Sequence, residues 1–144
     1  MLNSREFSLD GEEKPLTLTR KEILDRLSET KDLRNLDIRK ANLMKMDFDG
    51  CDLRGTNFSY SNLKDASFKG ADMRESSLWN ANLEGTDFTD ADLEGADLDY
   101  AKLRGSILLR ANLRRASLPT ELVPRDDILK SVRYGCKVGH KSNY

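Results

Sequence analysis

The chain has 144 residues, 38% of them hydrophobic and 34% charged, and its 24 Lys and Arg against 25 Asp and Glu leave a net charge of −1. That length suits one domain with its own core, and the balanced charge gives no global field favouring nucleic acid or a membrane surface. Nothing approaches a transmembrane run, and Cys51 and Cys136 are too few for a disulfide framework, so a reducing, cytoplasmic setting is the expectation.

The opening stretch, MLNSREFSLDGEEK, has no apolar segment of the secretory kind. Its Asp10-Gly11 pair favours a turn, so residues 1–15 are expected to form a small hairpin or an arm. LTLTRKEILDRLSET (16–30) carries a helix signature. Thr19 with Glu22 three residues on makes a capping box, and Leu18 with Ile23 matches a hydrophobic staple. A helix over 20–29 is predicted, with Ile23, Leu24 and Leu27 as its apolar stripe. Residues 1–30 are thus read as an arm and an N-terminal cap.

From Leu33 onward a large apolar residue returns every five positions: Leu33, Ile38, Leu43, Phe48, Leu53, Phe58 and so on to Leu118. Two residues before most of these beats sits a small side chain, such as Cys51, Thr56, Ser61, Ala66 or Ala71. Between the two lies Asp, Asn or Ser in most repeats, and the two residues after the beat are mostly polar or glycine, as in Arg54-Gly55, Lys69-Gly70 and Glu94-Gly95. Five helical steps rotate a side chain by about 500°, which would scatter the beats around a helix. Five steps along a strand invert its face. Only a chain that turns a corner after each repeat keeps every beat inside, and with corners near 90° four repeats close a coil.

Independent correspondences support a period of twenty rather than fifteen. Phe48, Phe68 and Phe88 share it, as do Asn42, Asn62 and Asn82, and Arg34, Arg54 and Arg74. A three-sided coil would pair none of the repeat phenylalanines. The predicted phenylalanine column ends at Leu108, and Asp32, Asp52, Asp72 and Asp92 should stack with Asn112 above them. Cation binding is conceivable there, but Arg34, Arg54 and Arg74 two residues along neutralise the column, and bonding to corner backbone is the preferred reading.

ANLEGTDFTDADLEGADL (81–98) resembles the pentapeptide-repeat family, whose motif is A(D/N)Lxx. The resemblance covers residues 31–120. It implies an all-β solenoid, a right-handed quadrilateral β-helix of about 4.5 coils of 20 residues, in a bacterial-type protein. Lys31, Leu36 and Met46 depart from the pattern at the small position, and Lys102 and Ile107 at the Asp/Asn position. Stacked at the usual strand spacing, the coils make a rod of roughly 22 Å. Both ends would expose apolar side chains and unpaired backbone, so short capping helices are expected at both.

Pro119 and Pro124 stop the repeat, and RDDILKSVRYG (125–135) offers a second helix with Ile128, Leu129 and Val132 on one side and Gly135 as its stop. Residues 121–144 are read as the C-terminal capping helix and a loose tail from 136 onward.

No catalytic constellation, cofactor motif or metal site emerges. The only histidine, His140, stands in the tail with Cys136, and two ligands do not make a structural zinc site. Two surface features stand out. Glu84, Asp87, Asp90, Asp92, Glu94, Asp97 and Asp99 fill nearly one coil with no Lys or Arg among them. Ladders such as Lys64–Glu84–Arg104 and Arg74–Glu94–Arg114 would balance it. Second, the twenty-residue phase brings Tyr60, Trp79 and Tyr100 to one corner. Trp79 either lies flat and shields backbone there or joins the tyrosines as a docking patch.

These features point to a non-enzymatic scaffold or protein-interaction module, binding a protein partner or a second copy through an end or the aromatic face, without membrane or direct nucleic-acid contact. The resemblance implies an alternative, since some members of that family mimic duplex DNA, bind DNA gyrase (a type II topoisomerase) and protect it from quinolones or toxins. Residues 31–120 carry fourteen Lys or Arg against fifteen Asp or Glu, little negative excess for such a mimic.

Overall fold

Fourteen parallel bridges join residues twenty positions apart, from Asp32↔Asp52 to Asp97↔Ser117. The computed structural model describes residues 17–139, so the expected hairpin or arm at 1–15 and His140 lie outside the described residues. Each pentapeptide forms one side of a square coil, and the chain winds as a right-handed quadrilateral β-helix. The middle residue of each side points inward, and Phe48, Phe58, Phe68 and Phe88 are wholly buried with the leucines of the same phase.

The repeat chemistry explains the corners. The residue before the next small position donates nothing to its own turn; instead Met46 N–H reaches Leu43 C=O at 3.2 Å, and Cys51 N–H reaches Phe48 C=O at 3.1 Å, closing a four-residue turn. The third residue of each turn takes a positive φ, as type II turns require, from 53° at Asn80 to 76° at Gly105. The Asp or Asn preceding the beat fastens the other side of the corner. Its carboxylate or amide oxygen accepts the N–H two residues on, as Asp52 does from Arg54 and Asn62 from Lys64. The expected Asp column with Asn112 on top is therefore structural: Asp32, Asp52, Asp72 and Asp92 bridge in sequence and each holds its own corner.

Small inward hydroxyls join the same scheme. Ser61 and Thr86 donate to the carbonyls of Ile38 and Leu63 on the coil below. The phenylalanine column forms as expected, Phe48 over Phe68 at 5.0 Å and 7° and Phe68 over Phe88 at 5.3 Å and 5°. Phe58, from the neighbouring side, meets Phe48 and Phe68 edge-on at 5.8 Å each.

The two ends of the rod differ chemically. Each coil bonds upward and downward through backbone, so its N-terminal edge presents mostly carbonyls and its C-terminal edge mostly N–H groups. Helix α1 (Arg20–Glu29), with its capping box formed, closes the first edge. Leu18 N–H bonds to Asp37 C=O, Arg20 Nη1 to the carbonyls of Asn42 and Met44, and Lys31 Nζ to that of Asp49. Lys31 thus departs from the small inward pattern because it turns out to cap an edge. Helix α2 (Arg125–Tyr134) closes the other end and stops at Gly135, whose φ is 70°. Here the cap supplies oxygen: Val132 C=O takes Arg110 N–H, Val138 C=O takes Gly105 N–H, and Ser131 Oγ takes Leu108 N–H.

Four expectations need correction. Leu24 and Leu129 are about half exposed, 47% and 50%, because a cap only one helix deep touches its coil along a stripe narrower than three residues. The stretch from 136 is not loose as far as 139: Val138 is buried and also donates to Ser106 C=O, pinning the chain across the last coil. The charge ladders Lys64–Glu84–Arg104 and Arg74–Glu94–Arg114 do not form as ion pairs. Arg34, Arg54 and Arg74 fold back onto the Asp two residues earlier, each through Nε and Nη2, so the expected neutralisation of the Asp column forms in place of the ladders. That pairing wins because both residues project from one short extended side and the planar guanidinium matches a carboxylate bidentately.

Candidate functional site: an aromatic edge

Tyr60, Trp79 and Tyr100 come from three successive coils and meet along one corner of the rod. Trp79 lies between the tyrosines, 5.0 Å from Tyr60 at 77° and 5.7 Å from Tyr100 at 76°. The geometry follows from register. Tyr60 and Tyr100 occupy the last position of their repeats, with φ of 62° and 60°, and Trp79 the position before it on the coil between. Tyr60 N–H donates to Trp79 C=O at 3.0 Å, which locks the first two coils of the edge together.

Bulky side chains at positive φ are uncommon, and the left-handed conformation costs about 1–2 kcal/mol relative to one a non-glycine residue prefers. Elsewhere this position holds Gly50, Gly55, Gly70, Gly85, Gly95 or Gly105, or a short or charged residue. Tyr60 and Tyr100 remain 49% and 51% exposed, so core burial does not offset that cost. Trp79 is half-buried between them. Edge-to-face contacts of this kind are worth about 0.5–1.5 kcal/mol per pair beyond area, comparable with the strain. The rings support one another, and their outer faces form a continuous apolar strip.

At its C-terminal end the strip runs into a shallow pocket of about 140 Å³, between Asp99 and Tyr100 and the turn that follows the last repeat, where Leu118, Pro119, Glu121 and Leu122 approach. Leu122 is 56% exposed. Sequence reasoning found the three rings by coil arithmetic and missed the pocket, because the turn at 119–123 leaves the five-residue period and carries no register.

The acidic coil divides differently. Its seven carboxylates are spread around all four sides. Asp87 lies 3.7 Å from Lys69, Asp90 pairs with Arg110 at 2.6 Å, Asp92 lies 3.8 Å from Arg74, and Glu94 lies 3.9 Å from Arg115. Arg110 beside Asp90 holds its carboxyl below the ordinary range. Glu84, Asp97 and Asp99 have no ion-pair partner among the described residues. Cys51 is buried, and burial pushes its thiol up, which leaves it inert rather than nucleophilic. Among the described residues no group of His, Cys, Asp and Glu is arranged to hold a metal ion, and no helix is long and apolar enough to cross a membrane.

A square β-helix built from A(D/N)Lxx sides, with type II corners and capped ends, defines a repeat module whose varied residues all face outward. The family model for the pentapeptide repeat region matches residues 32–118, and the chain belongs to the pentapeptide-repeat family. No curated protein matches it significantly. Among solved structures it is similar to HetL, a pentapeptide repeat protein involved in heterocyst differentiation regulation from the cyanobacterium Nostoc sp. strain PCC 7120, with 33% identity and a TM-score of 0.58 over 60% of this chain and 42% of that one. It is similar to Rfr23 from the cyanobacterium Cyanothece 51142, with 31% identity and a TM-score of 0.46 over 60% of this chain and 56% of that one. QnrB1, a plasmid-mediated fluoroquinolone resistance protein, shares 20% identity at a TM-score of 0.43, over 60% of this chain and 50% of that one. The chain thus covers about half the length of each, and the last likeness concerns the fold alone.

Proposed function

We propose that this protein is a non-enzymatic interaction module that docks a protein partner along the Tyr60–Trp79–Tyr100 edge. The observation carrying the reading is the edge itself: Trp79 touches both tyrosines, and Tyr60 and Tyr100 stand half exposed at a position where the backbone favours glycine. Tyr and Trp are the residues most enriched at binding hot spots, because a rigid ring contributes large contact area at small entropic cost. Family membership supports the coarser statement, a rigid repeat surface for interaction.

The gyrase-directed alternative draws less support from the surface. DNA mimicry needs a long run of unpaired negative charge, whereas four of the seven carboxylates in the acidic coil have basic partners and the seven encircle the rod. A gyrase supercoiling assay with and without quinolone tests it directly, and protection by this protein would favour it over the docking reading.

For the docking reading the test is Trp79→Ala. Affinity capture from the native host should lose its partner, while the melting temperature falls only by the several degrees that two lost ring contacts, about 1–3 kcal/mol, account for. Capture that survives Trp79→Ala, together with a large loss of thermal stability, would return Trp79 to a role as a corner shield.

A further inference from the structure

The aromatic edge is not uniform along its length. The corner column that carries Tyr60 and Tyr100 begins with Lys40, in the first coil, and ends beside Asp99 and Glu121. Resting on the docking reading above, we propose that the pocket at its C-terminal end receives a cationic side chain, arginine or lysine, from an extended segment of the partner protein.

Three features of the pocket converge on that occupant. Its charged lining is acidic only: Asp99 and Glu121 contribute carboxylates, neither has an ion-pair partner among the described residues, and no Lys or Arg lines it. Asp97, whose carboxylate takes Asp99 N–H at 2.9 Å, adds a further negative charge on the same side. The nearest base in sequence, Lys102, belongs to the next side of the coil, around the corner. Second, the wall shared with the edge is the ring of Tyr100, backed by Trp79 at 5.7 Å, and aromatic faces attract arginine and lysine, tryptophan most strongly. Third, the exposed Leu122 and the partly buried Leu118 offer an apolar surface for the methylene stem of a long cationic side chain, and the volume of about 140 Å³ admits one side chain rather than a helix.

Other occupants fit worse. An aliphatic side chain would cover Asp99 and Glu121 without pairing them, at a desolvation penalty. A carboxylate or phosphate would meet two like charges at close range. The opposite end of the edge, under Tyr60, presents Lys40, while Arg39 beside it is already paired with Asp37 at 2.7 Å. A segment lying along the edge therefore places its basic residue at the C-terminal end of the edge, away from Lys40.

Trp79 is the chain's only tryptophan, so its emission reports occupancy of the edge without any label. The probes are short blocked peptides of sequence Gly-Ser-Leu-X-Leu-Ser-Gly, with X as Arg, Lys, Leu or Glu, titrated into the full chain. The Arg and Lys peptides are expected to shift Trp79 emission saturably, at least about tenfold more tightly than the Leu or Glu peptides. Raising ionic strength should weaken them. The double variant Asp99→Asn with Glu121→Gln, which removes charge but breaks no side-chain hydrogen bond, should erase the preference while its melting temperature is unchanged. Equal binding of all four peptides overturns the cation pocket and leaves the docking edge standing. Failure of every peptide to shift Trp79 at millimolar concentration, or full affinity for the Arg peptide in the double variant, overturns the inference as well. The docking reading falls separately, through capture that survives Trp79→Ala.

Discussion

Phe68→Ala tests the architecture most directly. The Phe68 ring is wholly buried and touches three others: it is sandwiched between Phe48 at 5.0 Å and Phe88 at 5.3 Å and meets Phe58 edge-on at 5.8 Å. Truncating a buried phenylalanine costs about 3–5 kcal/mol, and each lost aromatic pair about 0.5–1.5 kcal/mol of specific contact. With three pairs gone and the rigid coils above and below unable to collapse into the void, Phe68→Ala belongs at the upper end, about 4–5 kcal/mol. Phe48 has two ring partners and Phe88 one, so the expected order of loss is Phe68, then Phe48, then Phe88. Phe68→Leu copies the chemistry of Leu108 in the same column and should cost about 1–1.5 kcal/mol. Urea unfolding followed by far-ultraviolet circular dichroism measures all four. Equal losses at Phe68 and Phe88, or a loss at Phe68 below about 2 kcal/mol, would refute the stacked column.

Other outcomes follow from the same architecture. Ser76 Oγ is buried without a partner, so Ser76→Ala should be neutral or stabilising, whereas Ser61→Ala, which forfeits a bond to Ile38 C=O, should cost about 1 kcal/mol in the same urea assay. Acidification should destabilise the rod: arginine partners hold the carboxyls of Asp37, Asp52 and Asp72 below their ordinary value and that of Asp32 at about 2. Groups depressed in the folded state stabilise it above the unfolded value and lose that effect as pH falls through the folded one, so melting temperature should be flat near neutrality and drop between about pH 4 and pH 2. A drop that starts above pH 5 would contradict this. Deleting residues 1–30 removes the bonds from Leu18 and Arg20 to the first coil, and light scattering should then show more association than for the full chain.

The coil was legible because its signal is redundant. Phe48, Phe68 and Phe88, the asparagines at 42, 62 and 82, and the arginines at 34, 54 and 74 each state a period of twenty, and the bridges confirm every one of these registers. The same arithmetic brings Tyr60, Trp79 and Tyr100 to one corner, where their rings meet. What it could not supply is the choice an outward side chain makes among neighbours equally near in sequence space. Arg74 could reach Glu94 on the next coil or Asp72 in its own repeat, and only the fork geometry of the guanidinium decides for Asp72. The caps failed in part for another reason. Leu24, Leu129 and Val138 sit outside the period, where burial depends on which edge groups a single helix or the turn after it happens to cover.

The chemical difference between the two ends bears on assembly. One edge of every coil offers carbonyls and the other N–H groups, so the top of one rod is the complement of the bottom of another. Without Arg20, Lys31 and Leu18 on one side and Ser131, Val132 and Val138 on the other, two copies could join as naturally as two consecutive coils do, and a third could add to them in the same sense. The protein is in this respect a short length of a polymer with a stopper at each end. The stoppers withhold the two edges from pairing, a bar that the repeat itself does not carry.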